Sequence, residues 1–314
     1  MTLEFGHSIV EFKNRHMTLA FSHFTIYILS RRRSSVNSMQ RIRRSFASVT
    51  LCLMLGVMTS SGFLGCGGQL SNINIFSDEQ EVKLGKQFSQ QIEQDVKIYE
   101  EPVVTAYVAN LGQRLAQHAK RKNITYHFKV VDTDVVNAFA VPGGYLYVNI
   151  GLIRAAENES ELAGVIGHEI GHIVGKHSMK QMTKQLGLAA VAQLALGENP
   201  NKLKQMVAGI AATGALMKYG RDAEREADGY GVQEMYDAGI NPEGMATFFE
   251  KLLKLQKGKP SQLEQIFSTH PPTAERIANV RGQIAGLLPK SNLKKDSRRF
   301  HEIKKRLRPP KPKN

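Results

Sequence analysis

The chain of 314 residues contains no tryptophan and only two cysteines, so a fold held by several crosslinks is excluded. Long apolar runs are also missing. The apolar stretches Leu186 to Leu196 and Met206 to Met217 span eleven and twelve residues, and a membrane-crossing helix needs roughly 20. A buried helical hairpin is the expected arrangement, with a membrane-touching hairpin as the lesser alternative. A basic surplus is lacking where a nucleic-acid surface would need one. The formal net charge is +14, but residues 1–65 hold eight Lys/Arg against two Asp/Glu and residues 290–314 hold eleven against two. That leaves 23 basic and 24 acidic residues in 66–289. A balanced body of this length can bury one good core but has no charge excess to neutralise phosphates, so nucleic acid is not an expected partner.

The amino-terminal part reads as an export signal. From Met39, three arginines (Arg41, Arg43, Arg44) precede the apolar stretch Phe46 to Met58 and then Phe63, Leu64, Gly65 and Cys66, the order of a secretory signal peptide. The LGC ending resembles the lipobox of bacterial lipoproteins, with Cys66 as the lipidated first residue. Residues 39–65 are therefore expected to be the signal and 66–289 the functional domain. Residues 1–38 fit nothing downstream and are expected to be an over-long predicted start. Gly67 after the cysteine points to the outer membrane, on its periplasmic side. The tail 290–314, with nine net positive charges and the ending LRPPKPKN, is expected to be a tether outside the fold that lies on anionic lipid.

Within the body, Ser77 and Gln80 have the spacing of a capping box ahead of a helix running toward Ile98. Pro102 opens a second helix through Leu115. Ile124 to Val131 alternates as a strand, and Asn137 to Ile150 reads as two short strands around Pro142, Gly143 and Gly144. Asn158 and Glu161 cap a longer helix carrying His168, Glu169 and His172.

Those three residues form an HExxH pattern. Two histidines four apart project from one helix face and can share a zinc ion, with the glutamate beside the open coordination position. A buried structural pair of histidines is the alternative. A catalytic zinc needs a third protein ligand. His177 in HEIGHIVGKH falls one residue short of the third histidine of HExxHxxGxxH, where Ser178 stands, and one residue is about 100° around a helix. We therefore read His177 as structural or as supporting a ligand. The better candidate lies in residues 219–231, YGRDAEREADGYG, where Glu224 and Asp228 share a helix face in the manner of a zinc ligand and a carboxylate oriented onto a ligand histidine. A solvated charged helix is the bland alternative for that segment.

HEIGH, Glu224 to Asp228 as ExxAD, the preceding NAFAVPGGYLYVNIGLI and the following THPPTAERI together resemble the zinc metallopeptidase family of the CaaX prenyl protease, HtpX and the Oma-type proteases. The likeness covers roughly residues 76–285 and is to its small exported lipoprotein branch. It implies an α+β, zincin-like fold, mostly helical, with a small mixed sheet whose edge strand borders the cleft. It further implies one zinc on His168, His172 and Glu224, Glu169 as catalytic base, Asp228 supporting a ligand, and Phe139 to Val148 as the substrate edge strand, with Phe139, Ala140, Val141, Gly143 and Gly144 against the substrate. His270 and Arg276 are candidates for a fourth ligand or a substrate contact. His270 is read as a latch on the fourth position, as an oxyanion donor, or as a structural loop residue, and the latch is favoured. The expected activity is endoproteolysis of unfolded or misassembled envelope proteins at a lipid anchor. A zinc-stabilised chaperone or assembly lipoprotein is the alternative.

Overall fold

Ser77 and Gln80 make the capping box that their spacing predicts, with the Gln80 amide donating to Ser77 Oγ at 3.3 Å and the Ser77 amide donating to Gln80 Oε1 at 3.0 Å. They open α1 (Asp78–Asp95), in a computed structural model whose described residues are 76–213, 216, 218–256, 266, 269–271 and 273–307. The expected extension 1–38, signal 39–65, lipidation site Cys66, Pro272 and the extreme tail 308–314 lie outside them. Helix α1 stops three residues before Ile98 because Val96 turns extended and Ile98 bridges to Val131. Helix α2 (Pro102–Ala116) has proline in its first turn and the Glu101 carboxylate accepting the Val104 amide at 2.8 Å.

Strands β1 (His127–Val131), β2 (Ala138–Val141) and β3 (Tyr145–Asn149) form a mixed sheet in the order β1-β3-β2, with β3 parallel to β1 and antiparallel to β2. Of the expected edge strand Phe139 to Val148, only β2 lies at the edge, since β3 occupies the centre of the sheet. Gly143 and Gly144 are not strand residues. They turn the chain between β2 and β3 at φ of 74° and 100°, a conformation that costs glycine little, and the Gly143 amide donates to Glu81 of α1 at 3.2 Å. Both faces of the sheet are covered: Ala138, Ala140, Leu146 and Val148 belong to the larger core, whereas Phe139, Val141 and Tyr147 belong to a second core against α1. Burial on both sides explains why β2 is apolar at every position.

After a short α3 (Ile150–Ala155) comes α4 (Glu159–Val174), which Asn158 caps through the Glu161 amide. Every residue of α4 from Glu159 to Ile173 is buried, as a helix enclosed on all sides must be. Its neighbours include β2, α2, α8 (Arg221–Asp237) and α9 (Glu243–Gln256). Helices α5 (His177–Leu186), α6 (Leu188–Leu196) and α7 (Pro200–Thr213) form a flank in which Val191, Leu194, Val207 and Ile210 pack with Leu84 and Phe88 of α1. The expected hairpin is thus present, buried on one face only, with Leu196 61% exposed. Among the described residues no helix is long and apolar enough to cross a membrane.

The expectation that residues 290–314 hang outside the fold is wrong for residues 290–307. After α10 (Ala274–Ala285), Lys294 pairs with the Gly239–Asn241 segment, the Ser160 amide donates to the Lys295 carbonyl, and α11 (Arg298–Arg306) buries Phe300 and Ile303 completely. Charge counting hid two apolar residues three apart, one face of a helix, each worth about 1.5–3 kcal/mol when buried.

Candidate metal centre

Helix α4 can deliver its histidines to α8 only where the two backbones come close. A Cβ on Gly171 would meet the Ala227 Cα at 2.8 Å, and one on Gly231 would stand 2.9 Å from the Gly167 carbonyl carbon. These small residues let α8 lie directly on α4, which carries Glu224 and Asp228 to the HExxH face. Gly220 opens α8 without a side-chain cap, in a backbone conformation that lets its carbonyl accept the Glu224 amide.

The sequence-predicted ligands converge. His168 Nε2 and His172 Nε2 lie 3.0 Å apart, and the Glu224 carboxylate is 3.5 Å from the first and 3.3 Å from the second. His270, delivered from the segment between α9 and α10, places Nδ1 3.2 Å from His168 Nε2 and 3.0 Å from Glu224 Oε1. The four groups form one buried set with ligand atoms within 4.8 Å of one another. Ligands at about 2.0–2.1 Å around a tetrahedral zinc stand about 3.3 Å apart, so the spacing fits that ion, and two ring nitrogens facing each other at 3.0 Å need a shared proton or cation between them.

Burial disfavours charge on both histidines, and they respond differently. It carries His172 well below the ordinary imidazole range, whereas at His168 the Asp228 and Glu224 carboxylates outweigh it and hold the pKa at about 9. Burial likewise works to raise Glu224, yet the three histidines around it hold its carboxyl well below the carboxylate range. Glu169 lies one residue along from His168, with its carboxyl raised by burial against the pull of His270 and His168; the backbone amide of Ala140 donates to it. The Asn149 amide donates to the Asn137 carbonyl, so the ladder pairs residues 137, 139 and 141 with β3, and the backbone groups of Ala138 and Ala140 turn outward toward α4. Among the residues read as lining a substrate, Ala140 thus has its amide on Glu169, while the Phe139 and Val141 side chains belong to the second core.

Arg276 is neither a ligand nor free to contact substrate. Its Nε and Nη2 bind Asp228 at 2.9 and 2.7 Å, its Nη1 lies 2.8 Å from Glu224 Oε2, and its guanidinium stacks 4.4 Å over Phe249. Asp228 in turn lies 2.8 Å from His168 Nδ1. Sequence reasoning missed Tyr219, whose ring stacks on His172 at 4.1 Å with its hydroxyl 2.8 Å from Ser178 Oγ. Its only advance signal was its place just before the ExxAD helix. A cavity of about 370 Å³ lined by His177, Lys180, Lys184, Tyr219, Arg221 and Glu226 adjoins this side.

An HExxH helix, a downstream glutamate and a buried carboxylate behind a ligand histidine define a metallopeptidase of the gluzincin type. The sequence profile of Peptidase family M48 matches residues 102–284, and the chain belongs to that family. It is 33% identical over 219 residues to the beta-barrel assembly-enhancing protease of Escherichia coli (strain K12), covering 67% of this chain and 45% of that protein. Metalloprotease LoiP of the same organism is 32% identical over 234 residues, 73% of this chain and 90% of that one. The mitochondrial metalloendopeptidase OMA1 of Arabidopsis thaliana is 34% identical over 155 residues, 49% of this chain and 31% of that one. The chain spans about half the length of the assembly-enhancing proteases it matches.

Proposed function

We propose that the protein is a zinc-dependent endopeptidase acting on unfolded or misassembled envelope proteins. The observation that carries this reading is the convergence of His168, His172 and Glu224 beside Glu169, on a helix that also faces the outward backbone of β2. A zinc ion held by these three residues would polarise the scissile carbonyl and make water acidic near pH 7. Glu169 would take the proton of the attacking water and hand it to the departing amine. The edge position of β2 beside Glu169 is where an extended substrate strand would lie, a conformation that folded proteins rarely offer.

His270 Nδ1 lies 3.0 Å from Glu224 Oε1, where it could take a zinc ion's fourth position, while its Nε2 sits 3.4 Å from Glu169 Oε1. One imidazole engages both the vacancy a substrate needs and the base, which supports the latch over an oxyanion donor. The beta-barrel assembly-enhancing name of several relatives supports an envelope substrate. Lipidation of Cys66, anchoring in the outer membrane facing the periplasm, and contact of the basic carboxy-terminal surface with anionic lipid belong to the same proposal and rest on the sequence patterns.

Digestion of casein with and without chelator tests the activity, alongside Glu169→Gln. The variant should keep its zinc and lose at least about 100-fold in rate; undiminished turnover refutes the role of Glu169. Hydrolysis indifferent to chelator refutes the zinc dependence, whereas a peptide-binding protein that never cleaves favours the chaperone reading. Mass spectrometry of the isolated protein should find acyl chains on Cys66, and an unmodified amino terminus elsewhere refutes the anchor.

A further inference from the structure

His172 Nε2 faces the ligand set, so its Nδ1 must find a partner elsewhere, and that partner is His177 Nδ1 at 2.9 Å. On an unbroken helix a residue five positions on is turned about 140° away. The chain breaks instead. Helix α4 ends at Val174, Lys176 takes φ 53° and ψ 33°, and α5 starts at His177. Lys176 is the only non-glycine residue with positive φ among the described residues, and its ammonium lies 2.7 Å from Asp78 and 3.8 Å from Glu81. Gly175 makes room for the returning ring, since a Cβ there would stand 2.9 Å from His177 Cδ2 and closer still to other ring atoms. A left-handed non-glycine residue held by two carboxylates is a cost that needs a reason. Here it brings His177 back over His172.

The proton positions follow from the donors available. If His172 Nε2 is a ligand it carries no proton, so Nδ1–H donates to His177 Nδ1. His177 then bears its own proton on Nε2 and donates to Glu226 Oε2 at 3.2 Å. Glu226 also accepts the Tyr230 hydroxyl at 3.0 Å and reaches solvent. We infer that His177 is a positioning residue that sets the tautomer and ring orientation of the metal-ligand face of His172 by relaying the Glu226 carboxylate through a second imidazole. The two ligand histidines are therefore supported differently, His168 by a carboxylate directly and His172 through a neutral ring. The inference rests on the zinc reading above.

The test is zinc affinity of the full chain, by competition with a chromophoric chelator, together with thermal unfolding of the zinc-stripped protein. His177→Ala should bind zinc about 10- to 100-fold more weakly. His177→Asn, whose side-chain carbonyl can stand where Nδ1 stood, should recover most of that loss. Glu226→Ala should weaken binding a few-fold while leaving the stripped protein's melting temperature near wild type. Affinity within twofold of wild type in His177→Ala, or no recovery in His177→Asn, overturns the inference. If His177→Ala does not fold, Glu226→Ala decides, and wild-type affinity there overturns it. A wild-type chain that takes up no zinc overturns the metal reading and this inference with it, whereas zinc in the wild type with unchanged variants overturns this inference alone.

Discussion

Asp228 Oδ1 lies 2.8 Å from His168 Nδ1 while Arg276 grips both oxygens of the same carboxylate. One buried group thus fixes His168 and is itself fixed from α10. Arg276→Lys keeps the charge but loses the forked geometry, and zinc affinity should fall about 10- to 100-fold. Arg276→Ala leaves the buried Asp228 and Glu224 uncompensated and should cost about 3–5 kcal/mol in urea unfolding. Wild-type affinity and stability in both variants would exclude the clamp.

His270→Ala removes the ring that stands between Glu224 and Glu169. Casein hydrolysis should rise with zinc retained. A fall of about 100- to 1,000-fold with zinc retained would assign His270 to the oxyanion instead.

The carboxy-terminal segment should behave in two parts. Truncation before Lys290 removes Phe300 and Ile303 from the core and should prevent stable folding, and Phe300→Ala alone should cost about 3–5 kcal/mol in denaturant unfolding. Deleting residues 308–314 should preserve stability and proteolysis while weakening binding to anionic vesicles at low salt; a stable chain ending at residue 289 would contradict the packing of α11.

Glu234 on α8 is buried, with no hydrogen-bond partner for either carboxylate oxygen, and burial pushes its carboxyl well above the ordinary range against a partial pull from Lys122. A carboxyl raised in the folded state favours folding below its unfolded pKa, and that contribution is lost as pH rises toward the folded value. Glu234→Gln should therefore gain stability over wild type as pH rises above the ordinary carboxylate range. Urea midpoints that move in parallel for both proteins would show that Glu234 has a partner.

Helix starts were legible where a local hydrogen bond defines them, as at Ser77 and Asn158, since capping is chemistry between residues three apart, and at Pro102, whose ring presets the φ of a first helical position. The HExxH pair was legible for the same reason: a helix alone puts His168 and His172 on one face. Glu224 and Asp228 were placed on one face by spacing, but their approach to α4 was not, because it depends on Gly171 meeting Ala227 and Gly167 meeting Gly231 on two helices distant in sequence. His177 shows the limit most sharply. Helical geometry turns it away from His172, and only a left-handed Lys176, held by carboxylates of α1 far away in sequence, turns it back.

The sequence by itself determined the caps, the short strands, the paired histidines and the carboxylates available to them, since each depends on residues within a turn or two of one another. Tertiary structure alone decided that β2 and not β3 is the edge, that His270 joins His168, His172 and Glu224, that Arg276 binds carboxylates, and that α11 belongs to the core. Those outcomes turn on which distant surfaces exclude water together. Such choices are settled by close packing between elements and not by the preferences of any one segment.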